Sequence, residues 1–344
     1  MRKLDIESDG LCLITDRLTR KYFCQVDIAE GYLFIGEKMV MFTDARYFYQ
    51  AKQWLDKLSI ECRLYKDNQT LLEYFNEVGA KRLFIDFSKS TVKEFFEYKK
   101  ICNDICDCAL IIQQQKAIKD EQEILDIKKA CEITQKAYYS ALNSVKKGMT
   151  EIELKDIIEN LLIEFGAQDI AFETIVAFGE NSAIPHHQTG NTALCDDMVI
   201  LMDFGCKVNG YCSDLTRTVF FGKPTEKFCE CYQKVLNANS LAIENIKENM
   251  LCNKADAIAR DYFKQSHLAE HFTHSLGHGV GEEIHEYPTL SPKSLSLIKE
   301  NMVFTIEPGL YFDGEFGIRI EDTVLMKHGK VQRLYDDDKK LLIL

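Results

Sequence analysis

The sequence feature that most constrains the fold is the dipeptide Asn209-Gly210, which lies inside the run Val199–Phe221. Apolar residues stand on both sides of it, and Asn-Gly in that setting is the strongest short-range signal for a β-hairpin with a two-residue turn. The segment leading in, Val199–Met202, is apolar at every position, which is typical of a strand buried on both faces. The sequence therefore predicts a buried hairpin centred on this dipeptide.

The predicted hairpin carries two acids on one face. With the turn at this dipeptide, Asp203 faces Thr216. Two positions nearer the turn, Gly205 faces Asp214. Side chains alternate along a strand, so Asp203 and Asp214 share a face as diagonal neighbours, roughly 7–8 Å apart at the backbone. Two buried carboxylates repel each other and raise each other's pKa, and a bound cation relieves that repulsion.

Composition excludes several classes of partner. The net charge of −12 over 344 residues argues against binding to nucleic acid or to an anionic membrane surface. No window approaches the roughly 18 apolar residues of a membrane span, and the start MRKLDIESDG lacks the apolar run of a signal peptide. The 13 cysteines form no CxxC pair, which indicates reduced thiols. We therefore expect a cytoplasmic protein.

The length suits two domains, and the pattern of elements changes near residues 113–119. Residues 1–115 alternate short strand-like and helix-like runs, including a hairpin of Tyr32–Gly36 with Met39–Thr43, which predicts an α/β domain with a mixed sheet. Residues 116–344 are strand-rich at the centre with helices outside, which predicts an α+β domain. Its helical segments are 120–148, a helix whose capping box is Thr150 with Glu153, and 228–260.

A second hairpin supplies two more acids. Met302–Glu307 and Phe316–Met326 flank Gly314, and a turn centred there pairs Glu307 with Glu321 on one face. The Glu-Pro-Gly corner could distort that register. Two hairpins that each offer two carboxylates predict a shared site, whose four negative charges two divalent ions would balance.

The stretch His274–Gly281, HSLGHGVG, is the predicted source of an imidazole ligand, because its glycines permit close backbone approach. Oxygen-rich ligation with one imidazole suits Mn, Co or Fe at least as well as Zn. His267–His271 matches the H-x-x-E-H zinc pattern, but the chain soon enters a glycine-rich loop, so an exposed helix end is favoured there. The CxC pairs at 106/108 and 229/231 lack a partner pair at ligand spacing and are interpreted as ordinary thiols.

Five motifs in chain order resemble the metal-ligand motifs of the creatinase/aminopeptidase P family of pita-bread metallopeptidases. They are Asp203 in MDFG, Asp214 in CSDLTRT, His278 in HSLGHGVG, Glu307 in TIEPGLY and Glu321 in GIRIED. The resemblance covers about residues 120–328, and FTDARYF in residues 1–115 resembles, less specifically, the creatinase-like domain of that family. It implies a creatinase-like α/β domain at 1–115 and a pita-bread α+β catalytic domain at 116–344.

The resemblance also implies roles for single residues. Asp203 would bind one ion, Asp214 and Glu321 would bridge two ions, and His278 and Glu307 would complete the second. Glu307 would also be the general base. His186 in AIPHHQ and His285 in EIHE match family histidines at the substrate pocket, with His187 as a neighbour without that role. Two further residues, Arg319 and His274, are expected to contact the metal ligands without binding the ions themselves.

The activity implied by the resemblance is hydrolysis of the bond before proline at the amino terminus of peptides, by an Xaa-Pro aminopeptidase with two divalent ions, Mn first and Co, Zn or Fe as alternatives. An Xaa-Pro dipeptidase (prolidase) is the alternative. A non-catalytic binding protein on the same fold is disfavoured because all five ligand positions are filled. The resemblance further implies a homodimer. The native metal and the preferred amino-terminal residue stay open.

Overall fold

The computed structural model describes residues 2–344. The chain divides into two compact units, one ending at Gln115 and the other starting at Lys116. In the described part of the chain, no helix combines the length and the apolar character that a membrane crossing requires. All 13 cysteines are free thiols.

The amino-terminal unit is built on one mixed six-stranded sheet. Its strands are β1 (Gly10–Ile14), β2 (Tyr32–Ile35), β3 (Met39–Thr43), β4 (Glu61–Leu64), β5 (Arg82–Ile85) and β6 (Ile105–Asp107). They lie in the order β4-β3-β2-β1-β5-β6. The neighbours β1–β2 and β2–β3 are antiparallel, whereas β3–β4, β1–β5 and β5–β6 are parallel. The predicted hairpin of β2 with β3 and the mixed sheet are both confirmed.

Helices cover both faces of this sheet. They are α1 (Arg17–Cys24), α2 (Phe48–Asp56), α3 (Asn68–Val78), α4 (Val92–Tyr98) and α5 (Ala109–Ala117). Side chains of β1 alternate between two cores: Cys12 packs with residues of α1, α2 and α5, and Leu13 packs with residues of α3 and α4. This alternation follows from the two-residue period of a strand and produces the α/β layering.

Four helices belong to the carboxy-terminal unit: α6 (Glu121–Leu142), α7 (Glu151–Glu164), α8 (Glu226–Asn245) and α9 (Cys252–Gln265). The capping box of Thr150 with Glu153 is present at the start of α7. Two predicted helix extents were wrong. The helix predicted to reach Gly148 ends at Leu142, because Gly148 and Leu194 pair through their backbones. The segment 228–260 is interrupted after Asn245, where Asn249 takes a positive φ of 63°.

The strands of this unit form four small sheets. The strands are β7 (Asp169–Ile170), β8 (Ile175–Phe178), β9 (Met198–Phe204), β10 (Cys206–Val208), β11 (Tyr211–Cys212), β12 (Leu215–Phe221), β13 (Gly277–Gly279), β14 (Glu286–Leu290), β15 (Val303–Ile306), β16 (Gly309–Phe312), β17 (Phe316–Arg319), β18 (Asp322–Lys327) and β19 (Lys330–Arg333). The sheet orders are β11-β10-β7, β12-β9-β8, β14-β13-β15-β18-β19 and β16-β17.

Helices α6 and α7 cover the apolar face of the first hairpin, and α8 and α9 cover the apolar face of the second. On β9, Ile200, Met202 and Phe204 pack into a core with α6 and α7, so Asp203 faces the other way. On β15, Phe304 and Ile306 pack into a core with α8 and α9, and Glu307 follows on the opposite face. The apolar faces are buried against helices, and this leaves the acidic faces of both hairpins free to form a site.

Candidate metal centre

The first hairpin has the predicted register. Asn209 and Gly210 form its turn with φ values of 51° and 90°, the left-handed conformations that a tight hairpin turn of this kind requires. Val208 pairs with Tyr211, and Asp203 pairs with Thr216 across β9 and β12. Asp203 and Asp214 therefore share one face, as the sequence predicts.

The second hairpin also keeps one register from end to end. Gly309 pairs with Arg319 between β16 and β17, and Ile306 pairs with Asp322 between β15 and β18. The Glu-Pro-Gly corner between these two ladders divides the hairpin over two sheets without inserting a residue. Glu307 and Glu321 therefore lie opposite each other, and the suspected distortion of the register does not occur.

His278 on β13 is oriented by its own backbone. Its Nδ1 donates to the carbonyl oxygen of Gly279 at 3.1 Å, which leaves Nε2 as the unprotonated nitrogen of the neutral ring. That Nε2 lies 3.5 Å from Oδ2 of Asp214 and 3.4 Å from Oε1 of Glu307. A nitrogen lone pair thus faces two carboxyl groups, and a proton on a carboxyl or a cation between the atoms would relieve their repulsion.

The acids of the cluster hold their protons tightly in the absence of an ion. Burial raises the pKa of Asp214 well above its usual range, and the charges of Glu321 and Asp203 raise it further. Burial likewise raises the pKa of Glu321, with added repulsion from Glu307 and Asp203. For Glu307, burial raises the pKa to about 7 against the opposing charge of Arg319. The carboxylates are therefore in excess of the positive charge available beside them.

Arg319 is the fixed cation beside the cluster. Its Nη2 donates to Oδ2 of Asp203 at 2.6 Å, and its Nε donates to Oγ1 of Thr216 at 3.0 Å. Oγ1 of Thr216 in turn donates to Oε2 of Glu321 at 2.6 Å. The guanidinium thus contacts one acid of the cluster directly and a second through a threonine.

His274 joins the same network through a tyrosine. Arg319 Nη1 donates to the hydroxyl of Tyr311 at 2.8 Å, and that hydroxyl donates to Nε2 of His274 at 2.9 Å. Nδ1–H of the same ring donates to the carbonyl oxygen of Ser275 at 2.8 Å. Burial lowers the pKa of His274 to about 3, with a further lowering by Arg319, so the ring is neutral and its Nε2 accepts the hydrogen bond of the tyrosine hydroxyl. His274 orients Arg319 rather than facing the acids.

The donor set fits divalent metal ions. Among residues 2–344, one group of acidic and histidine side chains has the spacing of a metal site: Asp214, His278 and Glu321, whose ligand atoms lie within 4.8 Å of one another. Oδ1 of Asp203 is also buried and has no hydrogen-bond partner in the described part of the chain. Carboxylate oxygens with one neutral imidazole nitrogen are the ligands that Mn, Fe and Co prefer.

The two predicted substrate histidines are more exposed than the five predicted metal ligands. The ring of His285 lies 4.3 Å from that of His278, measured between centroids. Burial lowers the pKa of His285, and the neighbouring rings of His278 and His186 lower it further. His186 follows Pro185 in the loop after the 3₁₀ helix Gly179–Ala183, and both His186 and His285 are exposed to solvent. They therefore lie where a bound molecule could reach them.

Sequence reasoning missed several residues of this centre. Tyr311 links Arg319 to His274, and Thr305 donates to Oε1 of Glu307 at 3.0 Å. Thr305 lies two residues before Glu307, so strand alternation could have placed both on one face. Glu151, a completely buried acid that contacts the loop of His186, carried no signal beyond its place at a helix start.

Known proteins share this sequence and fold. The model of metallopeptidase family M24 matches residues 126–328. A Xaa-Pro dipeptidase of Pyrococcus furiosus is 41% identical over 254 residues, which are 74% of this chain and 70% of that protein. The solved Xaa-Pro dipeptidase from Bacillus anthracis superimposes with a TM-score of 0.92 at 30% identity and covers 97% of this chain and 95% of that chain. An X-Pro aminopeptidase from Thermotoga maritima MSB8 gives a TM-score of 0.87 at 32% identity, with 97% of both chains covered.

The match to the family spans all five predicted ligand positions, Asp203, Asp214, His278, Glu307 and Glu321. Its solved relatives also confirm the predicted fold class, a creatinase-like α/β unit followed by a pita-bread α+β unit. Membership implies a peptidase that works with divalent metal ions. The chain belongs to metallopeptidase family M24, and its resemblance to the creatinase/aminopeptidase P family is confirmed.

Proposed function

We propose that this protein is an exopeptidase that hydrolyses the bond between an amino-terminal residue and a following proline, as an Xaa-Pro aminopeptidase. The observation that carries the proposal is the bare Nε2 of His278, which faces the carboxylates of Asp214 and Glu307. The preference for proline rests on the relatives, which are named as Xaa-Pro dipeptidases and X-Pro aminopeptidase.

Two divalent ions are the cofactors that we assign to the site, with Mn as the first choice and Co, Zn or Fe as alternatives. The proposed ligands are Asp203, Asp214, His278, Glu307 and Glu321. Asp214, His278 and Glu321 would hold the ions with ligand atoms that lie within 4.8 Å of one another, and Asp203, which Arg319 binds from one side, would add a further carboxylate. Ions bound there would neutralise the acids, polarise the scissile carbonyl and make water a nucleophile at neutral pH.

The protein's own side chains then bind the peptide and move its protons. His186 and His285 are exposed beside the cluster, and an imidazole N–H from either ring would donate to the oxygen of the scissile carbonyl. The carboxylate of Glu307 would accept a proton from water and deliver it to the imino nitrogen of proline as the bond breaks. Thr305 orients that carboxylate through its hydrogen bond to Oε1.

A dipeptidase restricted to Xaa-Pro is the second candidate, because relatives with that name match as well as the aminopeptidase does. The deciding experiment offers Ala-Pro and Ala-Pro-Ala side by side to the Mn-loaded protein, with Ala-Ala-Ala as a control. Cleavage of the tripeptide before proline supports the aminopeptidase. Cleavage of the dipeptide alone supports the dipeptidase, and cleavage of neither would contradict both.

The site assignment has its own test. Asp214→Asn removes a charge from the centre of the cluster, so we expect activity to disappear and the bound Mn per chain to fall. Glu153→Gln removes one exposed acid from the start of α7 and is the matched control. Retained activity in the Asp214 variant would refute the ligand assignment.

We also propose a homodimer in the cytoplasm. The dimer is inferred from the family resemblance, and the cytoplasmic location is inferred from the 13 free thiols. Light scattering of the purified protein tests the dimer, and a mass of one chain at micromolar concentration would exclude it. Fractionation of the source cells tests the location.

A further inference from the structure

A buried acid lies beside the loop that carries His186. Glu151 is the first residue of α7, and it is 0% exposed although the first turns of helices usually present acids to solvent. Glu153, two residues later in the same turn, is exposed and completes the capping box with Thr150. The cap of α7 therefore does not require Glu151 to be buried. Contacts outside the helix must explain why the side chain of Glu151 is buried.

Those contacts all come from residues 178–190. Oε1 of Glu151 accepts from the backbone N–H of Phe178 and from Nδ2 of Asn181, both at 2.8 Å. Oε2 accepts from Nε2 of His187 at 3.0 Å and from the backbone N–H of Gly190 at 2.9 Å. A carboxylate has about four acceptor sites, and here four donors fill them. The acid thus ties the start, the middle and the end of one loop to a single point.

Backbone bonds between the same helix and the loop's end add to this attachment. The N–H of Ile152 donates to the carbonyl oxygen of Gly190 at 3.1 Å, and the N–H of Glu151 donates to the carbonyl oxygen of Thr192 at 3.1 Å. The first turn of α7 is therefore hydrogen-bonded to the end of the loop through its backbone as well. The carboxylate reaches further into the loop, to the residue beside His186.

His186 lies between two anchored neighbours. The carbonyl of Pro185 accepts from Nη1 of Arg319 at 3.3 Å, and the ring of His187 is held by Glu151. His186 itself is exposed, so little packing fixes its backbone. Its direction depends on the anchors on either side, of which one comes from the metal centre and the other from α7.

We propose that Glu151, through His187, is a positioning residue that aims His186 at the substrate. The proposal rests on the proposed function, because that function gives His186 its contact with the scissile carbonyl. His187, which the sequence suggested was a mere neighbour, becomes the link in this arrangement. Glu151 touches no reacting atom, so it acts only through the loop.

The first test compares Glu151→Gln with Glu153→Gln in the Mn-loaded protein. Glutamine keeps the shape of Glu151 but replaces one acceptor oxygen with a donor, so two of the four loop donors lose their partner. We expect kcat/KM on an Xaa-Pro peptide to fall about 10- to 100-fold, the scale of a misaligned binding group. The Mn content should stay at the wild-type value. Glu153→Gln removes the same charge from the same helix turn and should leave kcat/KM within about twofold.

A double-mutant cycle separates positioning from general damage. If Glu151 acts through His186, then Glu151→Gln should cost little in a His186→Ala background, because the group that it positions is gone. An equal fold loss in both backgrounds would overturn the proposal. His187→Gln keeps a donor toward Glu151 and should retain more activity than His187→Ala.

A readout that needs no activity keeps this test separate from the proposed function. Amide hydrogen exchange in residues 184–190 should speed up in Glu151→Gln and stay at the wild-type rate in Glu153→Gln. Unchanged exchange in the Glu151 variant would overturn the positioning role even for an active enzyme. A wild-type protein that cleaves no Xaa-Pro peptide would instead contradict the proposed function, while the exchange data would still decide whether Glu151 holds the loop.

Discussion

Arg319 donates a hydrogen bond of 2.6 Å from Nη2 to Oδ2 of Asp203, while Oδ1 of the same carboxylate is buried with no hydrogen-bond partner among residues 2–344. One oxygen of this carboxylate thus accepts from a guanidinium, whereas the other has no partner in the described part of the chain. Burying a carboxylate oxygen without a partner is costly, and a bound cation would offset that cost.

Loss of the guanidinium should destabilise the metal-free protein. In Arg319→Gln, the acids of the cluster lose their buried positive partner, and we expect the free energy of unfolding to fall by about 3–5 kcal/mol in the presence of a chelator. Mn should restore part of it, because the ions supply positive charge. Denaturant titration measures both values. Arg46→Gln, at an exposed ion pair with Asp44, is the control and should unfold at the wild-type denaturant concentration.

Stability of the metal-free protein should depend on pH through Glu307. Burial raises its pKa from 4.5 to about 7, so the folded protein binds this proton more tightly than the unfolded chain. The stabilisation is complete below about 4.5 and is lost as the pH rises through about 7, a change of about 3 kcal/mol. Unfolding in chelator across this range should show the decline.

The variant Glu307→Gln removes this titration, so its stability should fall less between pH 4.5 and pH 7 than that of the wild type. Mn should also flatten the wild-type curve, because the ion takes the place of the proton. A wild-type curve in chelator as flat as that of the variant would contradict the assignment.

Close approach of two backbones should make Gly205 sensitive to any side chain. A Cβ there would lie 1.9 Å from the carbonyl oxygen of Ser213, next to Asp214. We expect Gly205→Ala to push the strands apart, cost about 1–3 kcal/mol and weaken Mn binding at least about 10-fold. Calorimetric titration with Mn measures the affinity.

The matched substitution is Gly314→Ala in the turn of the second hairpin. Its φ of 69° carries a conformational cost of about 1–2 kcal/mol, but a Cβ there meets no atom within 4 Å. Its Mn affinity should therefore match the wild type. An equal loss of affinity in both glycine variants would mean that general destabilisation, and not the strand contact, weakens the site.

A buried network of ion pairs near the carboxy terminus should stabilise the segment that carries Glu321. Arg217 pairs with Asp322 at 2.8 Å and with Asp337 at 2.7 Å, and it also donates to the carbonyl of Glu321. We expect Asp337→Asn to destabilise the protein by about 3–5 kcal/mol, because it weakens the pairing of a buried guanidinium. Asp338→Asn, at the exposed neighbouring position, should leave the unfolding midpoint unchanged.

Much of the site could be predicted because it lies on hairpins. Asn209-Gly210 fixes the turn, the turn fixes the register, and strand alternation then puts Asp203 and Asp214 on one face. The same logic held for Glu307 and Glu321, and the Glu-Pro-Gly corner did not disturb it. In each case the relevant geometry repeats every two residues, so local sequence determines it.

Other features could not be predicted from local pattern. Val145 continues the helical spacing of α6, yet the helix ends at Leu142 because the chain around Gly148 pairs with Leu194, far along the sequence. The capping box revealed Glu153 but not the burial of Glu151. That burial depends on donors from residues 178–190, which only the folded chain brings to the start of α7.

By itself, the sequence determined the two hairpins and the faces of their acids, because short-range backbone rules govern both. The pita-bread fold and the predicted metal ligands followed instead from the resemblance of its motifs to a known family. The tertiary structure alone decided that Nε2 of His278 reaches Asp214 and Glu307. It alone decided that Arg319 holds Asp203 and that Glu151 holds the loop of His186. These contacts join residues far apart in the chain, and their distances are set when the apolar faces of the hairpins pack against their helices.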